Sequence, residues 1–394
     1  MTDRSLRLLM VAPAPVIPVH DGMTLDAKFV EGMRLQSDLW PGQFDCILRR
    51  GARSIPFGAR VINPAQETFG LHVLEEDERL TQAHFEGYDL VMCSADDDRN
   101  LGLAPLVQAA GARLVVTLEY TLETRLKILF LTPGRSLPRR CISALRLMAR
   151  ELRRRRFMAS AQGLQANGYP AHSLCRKSDP DALLYLDNRM SPGLFATKTE
   201  MDARCDRLLS AAPVRLVYTG RLEPMKGAQD LIPVARALSQ RGVTYSLDIF
   251  GAGQLRDEIA NQIEAGSLAP QVRLHEPLDF ETELVPHLRQ NADIFLCCHK
   301  QSDPSCTYIE NMGCGLAVVG YENRMWSALA GASIAGWTSP AGRPQELADA
   351  VAQAAGNRVQ LAERCRNALA FAQAHDFRAE SRKRMEHLAK VAEG

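Results

Sequence analysis

The chain has 394 residues, of which 46% are hydrophobic and 24% charged, and its formal net charge is +1. At roughly 150 residues per domain that length implies two or three domains, and the near-neutral balance excludes a role built on bulk attraction to nucleic acid. Its 10 cysteines show neither a C-x-x-C nor a Cys/His pairing, which excludes a zinc site and reads as buried reduced thiols of a cytosolic protein.

In chain order, Arg4 and Arg7 precede an apolar run at 8–19 that superficially resembles a leader with an A-x-A site at Ala12 and Ala14. Three prolines break the run, so it reads as a first strand and a turn, not a leader. No apolar run is long enough to cross a bilayer. The turn His20-Asp21-Gly22 follows, then a helix from about 24 to 39 with Leu25, Phe29 and Met33 on one face and Asp21 or Thr24 as its cap. Strands are expected at 6–11, 46–48, 60–62, 71–74, 90–93 and 114–118. Asp96-Asp97-Asp98 lies just after the fifth of these, and Glu119-Tyr120 after the sixth.

Between Leu137 and Phe157 come Arg139, Arg140, Arg146, Arg150, Arg153, Arg154, Arg155 and Arg156, with Glu151 the only acid. Ile142, Leu145, Met148 (or Ala149) and Leu152 step by three or four and form the apolar face of a helix. Two readings stand: a surface helix with a solvated basic side, or peripheral docking of the Arg139 to Arg156 tract on anionic lipid. Nucleic acid is not expected, because no aromatic platform accompanies the tract.

In the second half, strands are expected at Val214–Thr219, Tyr245–Phe250, 272–274, Ile294–Cys297 and 317–319. Helices at 229–240, 254–264, 281–290, 344–355, 360–374 and 378–392 lie between and after them. Short apolar strands separated by helices mean parallel sheets covered on both faces. The expected fold is therefore α/β, with two doubly wound Rossmann-like domains facing each other. The first covers 1–195 together with a returning helix at 376–394, the second covers 213–375, and the boundary lies at 192–213.

Three elements of the second half carry chemistry. The strand at Val214–Thr219 runs into Gly220-Arg221, and Lys226-Gly227 closes the loop ahead of a helix. Two cations at the C-terminal end of such a strand suit a diphosphate. Gly251-Ala252-Gly253 follows the next strand, but Arg256 stands where a dinucleotide fingerprint needs a small residue. That glycine pair is either a tight turn or a close backbone approach to a phosphate or ribose, and the second is expected. The third element, Ser302-Asp303-Pro304-Ser305-Cys306-Thr307, enters a short helix that carries Glu310 and stops at Gly315. Its N-terminus offers N–H groups to an anion, and the Glu310 carboxylate could accept from a ribose diol or simply sit in an ion pair.

Gly220-Arg221, Lys226-Gly227, Gly251-Ala252-Gly253, and Glu310 with Gly315-Leu316, in that order, resemble the donor half of a retaining GT-B glycosyltransferase of the family-4 type. The resemblance covers about 214 to 319 firmly and the N-terminal half more loosely. It implies that Arg221 and Lys226 bind the donor diphosphate, that Glu310 binds the ribose, and that Ser302, Asp303, Ser305, Cys306 and Thr307 line the sugar site. Gly220, Gly251 and Gly253 would approach the donor. It further implies that Gly22 approaches the phosphates from the acceptor domain, with His20 facing the cleft, and that the final helix crosses back to the N-terminal domain. Two positions depart from the family pattern. Ser302 stands where the family has a Glu, with Asp303 beside it, and Glu119 stands where the family has a His.

Asp96-Asp97-Asp98 resembles the metal-binding D-x-D of the other glycosyltransferase fold. In a two-domain enzyme a solvated loop or acceptor-sugar contacts at Asp96 are expected instead, with no metal, because Arg221 and Lys226 neutralise the leaving group.

The reaction expected is transfer of a sugar from a UDP- or GDP-type nucleotide sugar to a saccharide or lipid-linked acceptor, with retention, in polysaccharide or glycolipid biosynthesis. The enzyme is expected in the cytoplasm, peripheral at the inner face of the membrane. The alternative is a non-catalytic nucleotide-sugar-binding relative acting as scaffold or regulator. A nicotinamide oxidoreductase lacks its fingerprint.

Overall fold

The computed structural model describes residues 5–51, 55, 58–134 and 136–394. Arg4, used in the leader comparison, lies outside them.

The first sheet contains β1 (Arg7–Val19), β2 (Gly22–Asp26), β3 (Gln43–Arg50), β4 (Ala59–Ile62), β5 (Gly70–Leu74), β6 (Leu90–Ser94), β7 (Arg113–Leu118), β8 (Gly163–Asn167) and β9 (Leu183–Tyr185). The order β5-β3-β1-β6-β7-β8-β9 is parallel throughout. β2 folds back antiparallel on β1 and pairs with β4. The second sheet contains β10 (Val214–Thr219), β11 (Tyr245–Phe250), β12 (Val272–His275), β13 (Ile294–Cys297), β14 (Ala317–Tyr321) and β15 (Gly336–Ser339). Its order is β12-β11-β10-β13-β14-β15, all parallel. Near-continuous apolar strands such as Leu296 and Val319 are buried because helices cover both faces. Each fully buried Leu, Ile or Val contributes about 1.5–3 kcal/mol.

The N-terminal region differs from expectation. β1 does not stop at Val11 but continues through Pro15 and Pro18, with a register shift between Val11 and Pro15. A bulge is where a sheet tolerates residues without an N–H. Thr24 is consequently a strand residue in β2, and the helix begins later, at Ala27–Leu39. Its cap is Asp26, which accepts from the Phe29 N–H. β8, β9 and β15 also escaped the sequence reading: Gly163-Leu-Gln-Ala-Asn has no β-branched residue, and the other two are only 3 and 4 residues long.

The chain divides into two compact units. One holds Met1–Leu122, Leu145–Tyr185 and Arg378–Gly394; the other holds Glu123–Ala144 and Leu186–Phe377. The stretch read as a boundary at 192–213 contains the helix Lys198–Leu209, started by a Thr197/Glu200 capping box. Met201, Cys205 and Leu208 fall on one face of that helix and are buried in the second core, so the segment is part of that core rather than a linker. The last helix, Phe377–Glu393, returns to the first unit. There Met385 and Leu388 join the core, Arg384 Nε donates to Gln165 Oε1 at 3.0 Å, and Arg113 donates to the Val391 carbonyl at 2.8 Å.

In the second sheet the strand order reverses between neighbouring β10 and β13. Ligands of doubly wound folds bind at the C-terminal strand ends beside such a reversal. The loops leaving β10 and β13 therefore lie side by side where a site is expected.

Candidate functional site

Loop Gly220 to Gly227 leaves β10. Gly220 has φ +147° and Gly227 φ +70°. A Cβ on Gly227 would fall 1.8 Å from the Cys298 carbonyl oxygen, so only glycine lets this turn abut the loop that follows β13. The Tyr218 hydroxyl donates to the Arg221 carbonyl at 2.8 Å and fixes the start of the loop. The two cations then diverge: the Arg221 side chain is exposed, whereas Lys226 is 6% exposed at the end of a short 3-10 turn.

Lys226 turns inward because the β13 loop supplies an anion. Its Nζ lies 2.5 Å from Asp303 Oδ2 and 3.3 Å from Ser305 Oγ. Ser305 Oγ is 2.9 Å from Thr307 Oγ1, and the Asp303 N–H donates to Gln301 Oε1 at 2.6 Å. Burial raises the Asp303 carboxyl, but the charge of Lys226 and its hydrogen bonds outweigh that and hold the group below the ordinary carboxylate range. Beside it His299 is 1% exposed, and burial and then the Lys226 charge push its imidazole down to about 3. His299 Nδ1 stands 4.0 Å from Asp303 Oδ1, beyond hydrogen-bond range, and both atoms are buried without a partner among the described residues. The ring is neutral at ordinary pH and presents one donor and one acceptor.

The other expected residues of this loop separate into occupied and available groups. Ser302 is buried, and its Oγ accepts from the Arg324 N–H at 3.1 Å. The position at which the family places a sugar-contacting Glu thus serves the entry of the next helix. Cys306 is half-buried, and Glu310 is 9% exposed in the first turn of the helix Thr307–Gly313. At seven residues this helix is too short for its dipole to carry the site, which rests instead on the hydroxyls of Ser305 and Thr307. Asn311, which the sequence reading missed, donates to Thr219 Oγ1 at 2.9 Å and ties the helix to the end of β10.

Gly251 and Gly253 have a visible structural use. A Cβ on Gly251 would lie 2.0 Å from the Gly220 carbonyl oxygen, and one on Gly253 would lie 2.6 Å from the Leu222 carbonyl oxygen. Backbone bonds join the loops: Gly220 N–H to Phe250 O at 3.1 Å, and Leu222 N–H to Ala252 O at 2.9 Å. The glycines allow the loop after β11 to brace the Arg221–Lys226 loop, so the tight-packing use is visible in the structure itself. Arg256, whose presence broke the dinucleotide fingerprint, donates to the Gly251 carbonyl at 3.0 Å and to the His275 carbonyl at 2.8 Å.

In the first unit, Asp96 and Glu119 are brought together through the backbone. Asp96 Oδ2 accepts from the N–H groups of Glu119 at 2.7 Å and Tyr120 at 3.3 Å. Asp96 Oδ1 accepts from Arg154 at 2.9 Å, and the same guanidinium donates to the Tyr120 carbonyl at 2.7 Å and to Glu151 Oε2 at 2.9 Å. Asp97 pairs with Arg99, and Asp98 with Arg150. The triplet is therefore not a solvated loop. Its carboxylates hold protein cations and backbone donors, and no cluster of metal-ligating type occurs among the described residues. Arg154 is fully buried, a role the basic tract concealed at the level of sequence.

His20 and Asp21 form the two-residue tip of the β1–β2 hairpin, pairing with each other at 2.7 Å with side chains 96% and 91% exposed. A Cβ on Gly22 would fall 2.2 Å from the Ile62 carbonyl oxygen. Gly22 thus makes room for β4; what occupies the space a side chain would take is that strand.

Residues 207–370 match the family described as Glycosyl transferases group 1. A curated relative, the amylovoran biosynthesis glycosyltransferase AmsK of Erwinia amylovora, is 30% identical over 149 residues, which is 34% of this chain and 34% of that protein. The match thus spans about a third of the relative's length. Over the whole chain the fold is that of GT-B glycosyltransferases. Anabaena Alr3699/HepE in complex with UDP superposes with a TM-score of 0.64 at 16% identity, covering 98% of this chain and 100% of that one. Sucrose-phosphate synthase from Thermosynechococcus elongatus gives 0.65 at 12% identity, covering 98% of each.

Proposed function

We propose that this chain, a GT-B protein whose second unit matches the group 1 glycosyl transferases, moves a sugar from a nucleotide-diphosphate sugar to a saccharide or lipid-linked acceptor. The observation that carries the reading is the pairing of two loops at the β10/β13 strand ends. One supplies exposed Arg221 and buried Lys226; the other supplies Asp303 and Ser305 within reach of Lys226, with Thr307 bonded to Ser305.

In this reading Arg221 and Lys226 meet the diphosphate and stabilise the charge that develops on it as the glycosidic bond breaks, an electrostatic effect of several kcal/mol. Glu310 accepts from the ribose diol. His299 and Asp303 hold polar atoms without partners, suited to the hydroxyls of the transferred sugar. Glu119, held at its backbone by Asp96, is the acceptor-side carboxylate. No protein nucleophile is needed: the leaving phosphate takes the acceptor proton and the anomeric configuration is retained. The two cations do the neutralising work a metal does elsewhere. A UDP-sugar is the favoured donor, ahead of a GDP-sugar, because the solved GT-B neighbour at full coverage holds UDP. Polysaccharide or glycolipid assembly is the favoured setting, in line with the relative named for amylovoran biosynthesis. A lipid-linked acceptor would place the enzyme at the inner face of a membrane, reached through the Arg139 to Arg156 tract.

One observation favours a second reading, a nucleotide-sugar-binding scaffold without turnover. Ser302 stands at the sugar-contacting position and its hydroxyl is engaged by Arg324. The test is release of free nucleotide from UDP- and GDP-sugars, with and without saccharide acceptors, and the anomeric proton signal of any product. Acceptor-dependent release with a retained anomer supports transfer, whereas binding without release across the acceptors supports the scaffold.

A further inference from the structure

The helix Leu137–Ala159 is 23 residues long. Its buried side is formed by Ala144, Glu151, Arg154, Phe157 and Met158. The apolar residues that the sequence reading assigned to one face are not on that side. Leu137, Ile142, Leu145, Met148 and Leu152 are 68%, 50%, 63%, 44% and 62% exposed. They are five of the eleven exposed large hydrophobics among the described residues, so this one helix concentrates what the rest of the surface disperses. Scattered exposed apolar residues need no explanation, but a contiguous stripe marks an interaction surface.

The charges flanking the stripe identify what it meets. Arg139, Arg146 and Arg153 recur every seven residues and share one flank of the helix. These three and Arg156 are exposed and have no acidic partner among the described residues, whereas Arg150, Arg154 and Arg155 are paired with Asp98, Asp96 and Glu151. Glu151, the helix's only acid, is buried. A second copy docking through this face would set arginine rows against arginine rows. An exposed apolar stripe beside unpaired cations instead matches the boundary between acyl chains and anionic headgroups.

We propose that this face of Leu137–Ala159 is a docking surface for anionic lipid bilayers. The helix lies in the membrane plane, with Ile142, Leu145, Met148 and Leu152 inserted and Arg139, Arg146, Arg153 and Arg156 at the headgroups. The proposal deepens the reading of a lipid-linked acceptor and rests on it for its purpose, though the surface can be tested without any reaction.

The experiment is flotation of the full chain with vesicles of phosphatidylcholine alone and with about one third phosphatidylglycerol, at about 0.15 M salt and at about 1 M. Two variants are compared with the unmodified chain, Arg139→Glu/Arg146→Glu/Arg153→Glu and Ile142→Ser/Leu145→Ser/Leu152→Ser; all six residues are exposed and none is in the proposed machinery. Binding should be confined to the anionic vesicles, weaken at high salt, and fall at least about tenfold in each variant. Equal binding to neutral vesicles, no binding, or undiminished binding by the variants overturns the proposal. Self-association that the serine variant abolishes, with no vesicle binding, would assign the face to a second copy instead. Nucleotide release with a soluble saccharide acceptor, measured on the same samples, reports separately on the proposed reaction.

Discussion

Lys226 and Asp303 are 77 residues apart in sequence, yet Nζ and Oδ2 meet at 2.5 Å with both side chains buried. The residue that the donor diphosphate would need most is also half of an internal ion pair. Removing one partner of such a pair leaves a buried charge without compensation, while removing both does not. Lys226→Ala should therefore lose turnover and also cost about 3–5 kcal/mol of stability in urea unfolding. The double variant Lys226→Met/Asp303→Leu should recover most of that stability and none of the turnover. A single variant as stable as the unmodified chain would contradict the pairing.

Arg221 tests the same site without that complication. Its side chain is exposed, and it is the Arg221 carbonyl that accepts from the Tyr218 hydroxyl. Arg221→Ala should shift stability by less than about 0.5 kcal/mol and reduce kcat by about a hundredfold or more. Near-normal turnover in this variant would remove the diphosphate assignment.

His299 makes a pH prediction. In the unfolded chain its imidazole titrates near 6.5, and in the fold, burial and Lys226 push it to about 3. Between those values the unfolded chain binds the proton and the folded chain does not. Stability therefore falls as pH drops through this window, by about 1.4 kcal/mol per pH unit at most. Asp303 acts in the same direction but lower: its depressed folded value contributes stability that is present above the ordinary carboxylate range and is lost as pH falls through the folded value. A His299→Phe variant should flatten the curve between about pH 6 and pH 4. Parallel curves for the two proteins would contradict this account.

Asp96 separates a metal reading from a structural one. Its two oxygens hold Arg154 and the Glu119 and Tyr120 N–H groups. Asp96→Ala should cost about 1–3 kcal/mol, because buried Arg154 keeps Glu151 but loses one of its two carboxylates, and the Glu119 and Tyr120 N–H groups lose their acceptor. Added magnesium or manganese should restore neither stability nor activity, and rescue by either ion would revive the D-x-D interpretation.

Much of the second unit was legible in the sequence. β10, β11 and β13 are short apolar strands bounded by Gly or polar runs, and a fully buried parallel strand leaves that signature. The cation loop was legible for the same local reason. The partnership of Lys226 with Asp303 was not, because it depends on β10 and β13 being neighbours, and topology is not written in local pattern. His299 could have been suspected from the polar run His299-Lys-Gln-Ser-Asp303 that breaks off an apolar strand. Gly251 and Gly253 looked like a ligand loop because a glycine needed for a neighbouring backbone and one needed for a phosphate leave the same trace. In the first unit the prolines of β1 hid a continuing strand behind a bulge. The Leu137–Ala159 stripe had the right period, but periodicity tells which residues share a face and not whether that face is covered.

Glu310 is poised for a binding measurement, being 9% exposed on the helix that follows the Ser305–Thr307 pair. Glu310→Gln should weaken nucleotide affinity by about tenfold, the loss of charge-assisted bonds to a diol. The corresponding 2′-deoxyribose nucleotide should lose less in the variant than in the unmodified protein. Unchanged affinity in Glu310→Gln would count against the ribose role.

The central claim is that the Arg221–Lys226 loop and the Asp303–Thr307 loop hold a nucleotide-diphosphate sugar. The most direct measurement is thermal unfolding of the unmodified protein and Arg221→Ala across UDP-, GDP- and ADP-sugars. The account predicts that one nucleotide class, UDP in first place, raises Tm in the unmodified protein, by an amount set by its concentration relative to Kd. The shift should shrink sharply in Arg221→Ala, whose own Tm should be unchanged. No shift with any donor, or an equal shift in both proteins, would contradict it.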